Sequence, residues 1–398
     1  MTDFATTRAL FELPEGVIYL GGNSLGPLPK AVSDRVAACV SQEWGAQLIK
    51  GWNDAGWMAQ PRLLGDRLAR LIGAPPGSVV LGDTLSIKVF QALSAGLALR
   101  PGRKVILSDT GNFPSDLYMA QSLVELKAQG FELRLVDPED VADALDESVA
   151  VLMLTEVDYR TGRRHAMADL TARAHAVGAL AVWDLAHSAG ALPVDLIGAG
   201  ADFAVGCTYK YINAGPGAPA LIYVSPKYQD VAAPSLAGWL GHDAPFAFEQ
   251  DYRAGKGIER MRVGTPPVLQ MAALEAALDV WEGVDMEAVR ERSIALSERF
   301  LDRVEGEDLP LPLASPRAAA ARGSQVSFAF AEDGYAVIQA LIARGVIGDF
   351  RAPNLLRFGF TPLYQSFKDI DRAVDILAEI LRNRLWDRDA FRARKGVT

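Results

Sequence analysis

Seven short apolar runs of β-forming residues, most of them separated by stretches of helical periodicity, constrain this chain more than any other feature. They lie at 79–81, 104–108, 131–136, 149–155, 179–183, 203–207 and 220–224. Runs this short and this uniformly apolar belong to strands buried on both faces. Alternating with helices, they predict an α/β architecture with a mainly parallel seven-stranded sheet. Right-handed crossovers would then put helices on both of its faces. Helical patterns also precede the first run, at about 30–50 and 61–72, with Trp44, Trp52 and Trp57 around the join. After Gly264 the texture changes. Helical patterns at 267–283 and 286–305 lead into an Arg/Ala/Pro-rich loop at 313–323. A strand at 325–330, a helix at 335–344, a strand or hairpin at 346–360 and a helix from Ser366 follow. The expected division is an N-terminal arm, 1–55, joining a small α+β domain, 266–398, with a large domain, 56–265, between them.

Composition narrows the function classes. Forty basic against 49 acidic side chains leave a net charge of −9, which argues against a nucleic-acid or anionic-membrane surface. The one basic cluster, Arg388, Arg392, Arg394 and Lys395, reads as a solvated helix end. Cys39 and Cys207 are too few for a disulfide framework, and Cys207, inside an apolar run, reads as core. The acidic N-terminus, broken by Pro14, does not read as a signal peptide, and no apolar run reaches the roughly 18–20 residues that span a bilayer. A cytoplasmic protein is expected. Histidines 165, 175, 187 and 242 show no metal-site spacing, and neither a GxSxG elbow nor a phosphate-binding P-loop is present.

Two of the apolar runs end in polar groups. Asp184 and His187 follow the run at 179–183; Thr208, Tyr209, Lys210 and Tyr211 follow the run at 203–207, ahead of Gly215 and Gly217. Ligands of parallel sheets gather outside the carboxyl ends of the strands, so an acid, an imidazole and a lysine can converge on one crevice. Singly, the lysine is a surface charge and the aspartate a helix cap. Together they fit pyridoxal phosphate, which needs a lysine for its Schiff base and a carboxylate to keep its ring nitrogen protonated. Leu85 and Ser86 open a helical pattern where a phosphate would dock, and Ser86 reads equally well as an N-cap.

The runs DLAHSAG (184–190) and CTYKYINAGPG (207–217) resemble those of kynureninases, fold-type I pyridoxal-phosphate enzymes related to aminotransferase class V. The resemblance extends to LGGNSLGPLP (20–29), NFPSD (112–116), GWLGH (238–242), GTPP (264–267) and RFGFTPLY (357–364), nearly the whole chain. It implies hydrolysis of the Cβ–Cγ bond of L-kynurenine to anthranilate and L-alanine, in tryptophan catabolism, by a homodimer with shared active sites. By the same resemblance Lys210 carries the cofactor and moves the α-proton, and Asp184 pairs with the ring nitrogen. His187 approaches the phenolic oxygen, and Tyr209 bonds the phosphate and assists proton transfer. Leu85 and Ser86 hold the phosphate, and Phe113 stacks on the ring. Pro114, Ser115, Asp116 and Thr155 complete the cofactor pocket. Trp239 and Thr265 reach the phosphate site from the neighbouring subunit. Arg357, an ordinary surface arginine if read alone, matches the clamp of the substrate α-carboxylate, a task suited to a planar fork. Trp52 and Gly264 match the aryl end of the substrate pocket, where animal-type enzymes that prefer the 3-hydroxy substrate carry a histidine and a Ser-Asn pair. Stronger action on kynurenine than on 3-hydroxykynurenine is therefore implied. Read without the resemblance, Trp52 packs the join between arm and large domain. The arm's glycines 21, 22 and 26 do not have dinucleotide-loop spacing, and the segment reads either as a proline-punctuated turn or as a substrate-lining one.

Two rival readings share or abandon this chemistry. Another fold-type I activity, a cysteine desulfurase or an aminotransferase, is the nearer, although a desulfurase needs a reactive cysteine that neither Cys39 nor Cys207 is placed to supply. A non-catalytic binding protein of the same fold is the other, and the retention of Asp184, Lys210 and Arg357 speaks against it.

Overall fold

The computed structural model describes residues 2–128 and 130–394. Its main sheet has seven strands. From one edge the order is Val79–Leu81, Leu221–Val224, Phe203–Gly206, Leu180–Asp184, Val149–Thr155, Val105–Asp109 and Glu132–Val136. Leu221–Val224 runs antiparallel to both neighbours and the remaining pairings are parallel. Each apolar run of the sequence therefore became a strand, with ends shifted by a residue at most. The reason is visible in the burial: alternate residues serve opposite faces. Leu152, Leu154, Ala181 and Trp183 enter one hydrophobic core, while Val151, Met153, Leu180 and Val182 enter the other. A strand covered on both sides has no polar face to alternate with.

The C-terminal part packs around its own core. Strands Gln325–Ala329, Leu355–Gly359 and Asp349–Arg351 form an antiparallel sheet with Leu355–Gly359 central. Phe300, Phe328, Phe358 and Phe360 meet beneath it, and helix Phe367–Arg382 packs its Ile370, Val374 and Leu377 against them. That helix starts with a capping box. Ser366 accepts from the Asp369 backbone N–H, and Asp369 accepts from the Ser366 N–H. The N-terminal segment serves both cores. Ile18–Tyr19 pairs in parallel with Val346–Ile347, and Ile18 and Leu20 enter the C-terminal core. Phe11 and Val32 enter the large one.

The helical pattern at 30–50 does not run through as one helix. It is α-helical over Lys30–Ala38, widens to a π-helix over Cys39–Gly45 and tightens to a 3-10 turn over Leu48–Lys50. Leu48 adopts a left-handed φ of 54°, which no α-helix continues through. Trp44, Leu48 and Ile49 around the break are 57%, 64% and 77% exposed on the surface of one chain. Among the described residues no helix is long and apolar enough to cross a membrane, and no cluster of His, Cys, Asp and Glu could hold a metal ion.

Candidate active site

Strands Leu180–Asp184 and Phe203–Gly206 are parallel neighbours, so their carboxyl ends lie side by side. Asp184 closes the first strand, and the turn after the second carries Tyr209 and Lys210. Lys210 Nζ lies 2.9 Å from His187 Nε2. His187 is buried, and that burial, helped by the charges of Lys210 and Arg357, holds its pKa well below the ordinary 6.5. The ring is therefore neutral, Nε2 accepts from Lys210 Nζ, and Nδ1 carries the hydrogen. Nδ1 itself is buried without a partner among the described residues.

Asp184 is 2% exposed, and its Oδ1 accepts from the Ala186 backbone N–H at 2.9 Å. Thr155 Oγ1 is 3.5 Å from Asp184 Oδ2 but 2.5 Å from Asn112 Oδ1, so its hydrogen goes to Asn112. Asp116 is buried against Asp184, with Oδ2 unpartnered among the described residues. Burial raises both carboxyls. Asp116 is raised well above the ordinary carboxyl value, first by burial and then by the charge of Asp184; Lys210 opposes the rise at Asp184. Two carboxylates in one dry site resist ionising together, and the rise is the greater at Asp116.

Helix Leu85–Ala98 begins beside this group. Thr84, not Ser86, holds its N-cap position and makes no side-chain cap bond, so the first-turn N–H groups are left without a cap. Ser86 Oγ meets Ser115 Oγ at 3.0 Å. Ser115 belongs to helix Pro114–Lys127, with Pro114 in its first turn and Phe113 in extended conformation at the cap. The Phe113 ring is 5.9 Å from Lys210 Nζ and meets Tyr159 edge to face at 5.0 Å. Pyridoxal phosphate fits these residues: a buried carboxylate for a ring cation, an unpartnered imidazole N–H for an oxygen, an amine, and two hydroxyls at an uncapped helix start for a phosphate.

Lys210, His187, Phe113, Tyr159, Ser24 and Arg357 line one cavity of about 440 Å³. Arg357 is 1% exposed, which overturns the reading of it as a surface arginine. Its Nη1 donates to the Tyr159 carbonyl at 2.5 Å, and its Nη2 donates to Ser24 Oγ at 3.0 Å and to the Asp349 carboxylate. The N-terminal glycine segment lines this cavity through Asn23 and Ser24. It is pressed onto the lysine turn: the Gly26 N–H donates to the Tyr209 carbonyl at 2.8 Å, and a Cβ on Gly26 would lie 2.4 Å from the Lys210 carbonyl oxygen. Leu85 and Cys207 line an adjoining cavity of about 570 Å³, which shares Ser24, Tyr209 and Asp349 with the first.

Ser86, Pro114, Ser115, Asp116, Thr155 and Asp184 line neither cavity but belong to the group of residues just described, whereas Trp239, Gly264, Thr265 and Trp52 join neither. Trp239 is 40% exposed beside Phe246, Gly264 and Thr265 are exposed, and the half-buried Trp52 stacks edge to face on Trp57 at 5.5 Å. Other residues went unnoticed in the sequence. Ser24 and Asn112 sit inside recognised motifs without a role, whereas Tyr159, Asp349 and Arg351 carry no local signal. The C-terminal basic cluster is not simply a solvated helix end. Arg392 pairs with Asp387, while Arg394 lies over the rings of Tyr335 and Phe350, at 5.1 and 5.3 Å, and lines the Lys210 cavity. Lys395 lies outside the described residues.

A lysine, an imidazole and a carboxylate at adjoining strand ends of this sheet define the class: a fold-type I α/β enzyme. The apo cysteine desulfurase of Thermococcus onnurineus NA1 has the same fold, with a TM-score of 0.80 at 20% identity over 96% of this chain and 99% of that one. So has a mutant of C-DES with glycine covalently linked to its PLP cofactor, with a TM-score of 0.80 at 18% identity over 95% of this chain and 100% of that one. Within the class, residues 289–377 match the kynureninase C-terminal domain. The chain is 51% identical to the kynureninase of Pseudomonas fluorescens over 401 positions, 99% of this chain and 96% of that protein. It belongs to the kynureninase family.

Proposed function

We propose that this chain is a pyridoxal-phosphate-dependent kynureninase, hydrolysing the Cβ–Cγ bond of L-kynurenine to anthranilate and L-alanine. The observation that carries the reading is the placement of Lys210, 2.9 Å from a neutral His187, in the same cavity as the buried Arg357. When bound, pyridoxal phosphate supplies an electron sink for the pair released at the substrate's α-carbon. Asp184 holds the ring nitrogen protonated. The upward shift of Asp116 beside Asp184 limits the negative charge the two acids bring together. His187 offers its Nδ1 hydrogen to the phenolic oxygen, and Phe113 packs on the ring. Ser86, Ser115 and the N–H groups from Leu85 onward hold the phosphate, with Tyr209, while Pro114 and Thr155 shape the pocket. Arg357 binds the α-carboxylate through its fork, and Lys210 takes and returns the proton at the α-carbon.

A homodimer completes the site in this reading. Trp239 and Thr265 of one protomer reach the phosphate pocket of its partner, and Trp52 and Gly264 line the aryl end. The exposure of Trp239, Gly264 and Thr265 outside their own chain's cavity supports it, as do the exposed Ile49, Phe246 and Phe248. A cytoplasmic location accords with the acidic charge balance. The absence of a cysteine positioned as a persulfide carrier sets the chain apart from desulfurases: both are buried. Mixing the holoenzyme with L-kynurenine and following anthranilate fluorescence tests the function. Running 3-hydroxykynurenine beside it tests the aryl pocket. An indole wall leaves an added hydroxyl poorly paired, so kynurenine should be preferred roughly ten- to hundredfold in kcat/KM.

A further inference from the structure

The Lys210 cavity carries more positive charge than one inner arginine accounts for. Arg351, Arg357, Arg394 and Lys210 all line it, and Asp349 is the single acid among its described lining residues. Asp349 is shared by two guanidinium groups and a hydroxyl: its Oδ2 accepts from Arg357 Nη2, from Ser24 Oγ and, at 3.3 Å, from Arg351 Nη2. The Nε of each arginine is buried and lacks a hydrogen-bond partner among the described residues. Two charged donors left unsatisfied in one pocket call for an anionic acceptor. Arg394 stands further out. It is exposed, has no acidic partner among the described residues, and is held over Tyr335 and Phe350 while the Tyr335 hydroxyl donates to the Ala393 carbonyl at 3.3 Å. Arg394 thus forms part of the cavity wall, next to the hairpin strand Asp349–Arg351.

We propose that Arg351 and Arg394 are specificity-determining residues that select a carboxylate-bearing substrate. Arg394 attracts the α-carboxylate at the mouth, and Arg351 shares it with Arg357 once it has entered. The inference rests on the reading of the cavity as an α-amino-acid site. Arg357 is inaccessible from outside, so a cation at the mouth acts on the approaching anion before the fork can. Such attraction works through space and is screened by salt.

The test uses the holoenzyme with Arg394→Gln, Arg394→Lys and Arg351→Gln. Each glutamine variant should lower kcat/KM for L-kynurenine roughly five- to tenfold, the loss falling on KM, and should flatten the dependence of kcat/KM on ionic strength. Arg394→Lys, which keeps the charge, should keep the salt dependence. Calorimetric binding of the unreactive substrate skeleton lacking its α-amino group should weaken in both glutamine variants. Unchanged thermal midpoints would show that the fold is intact. Analogue binding and salt dependence equal to wild type in both variants would overturn the proposal. If wild type failed to cleave kynurenine, the functional reading would fall, and the binding comparison would still decide the role of the two arginines.

Discussion

Asp184 and His187 take their chemistry from burial as much as from their side chains. A carboxylate 2% exposed, with one backbone N–H and the nearby Lys210 charge to stabilise it, is poised to hold a cation in place. Asp184→Asn should leave the protein folded and slow α-proton exchange of bound amino acid in deuterated water by on the order of 10²-fold, the scale of a lost electrostatic partner. An exchange rate equal to wild type would remove Asp184 from this role. His187 gives a pH signature. Its folded pKa lies well below 6.5, so below that value the unfolded chain takes a proton that the folded site refuses. The group contributes nothing above the ordinary value, and its presence costs stability progressively as pH falls beneath it. Between about pH 7 and about pH 5 the thermal midpoint of wild type should therefore fall further than that of His187→Asn. Parallel curves would mean that His187 is protonated in the fold.

Among the elements, the N-terminal segment, open in the sequence between a turn and a substrate-lining role, lines the Lys210 cavity through Asn23 and Ser24. Its glycines allow a close approach rather than a phosphate loop. Gly26 sits where a side chain would meet the Lys210 carbonyl oxygen, which belongs to backbone and cannot swing aside. Gly26→Val should therefore overpack the joint, costing about 1–3 kcal/mol of stability. It should also loosen Asn23 and Ser24 from the cavity wall. The expected readout is faster proteolytic clipping within residues 20–29 together with a raised KM. A variant with wild-type KM and protease resistance would show that the docking is not needed for substrate binding.

At the scale of the molecule, the proposed dimer makes a prediction that no single chain satisfies. Lys210→Ala chains should be inactive, and so should chains with Trp239→Ala if that residue completes the partner's phosphate site. Mixed under conditions of subunit exchange, the two should regain part of the wild-type activity, because one of the two sites of the hybrid then contains only intact residues. Absence of recovery, with hybrids confirmed by mass, would confine each site to one chain. We also propose the three-part division at 55/56 and 265/266, with the arm belonging functionally to the small domain. The pairing of Ile18–Tyr19 with Val346–Ile347 and the burial of Ile18 and Leu20 in the C-terminal core support it.

By itself the sequence determined the layered sheet, the strand ends that carry Asp184 and Lys210, and the chemistry they imply. These are local properties: an apolar run buried on both faces announces itself in four or five residues, and a polar cluster at its end is adjacent in the chain. The start of the helix at Ser366 was legible for the same reason. What only the tertiary structure decided depends on residues far apart in sequence. Arg357 reads as a surface arginine until Tyr159, Ser24 and Asp349 close around it, 198, 333 and 8 positions away. Arg394 reads as part of a solvated end until the rings of Tyr335 and Phe350 hold it at the cavity. Periodicity reports which face of an element is buried; it carries no record of which distant side chain is waiting there.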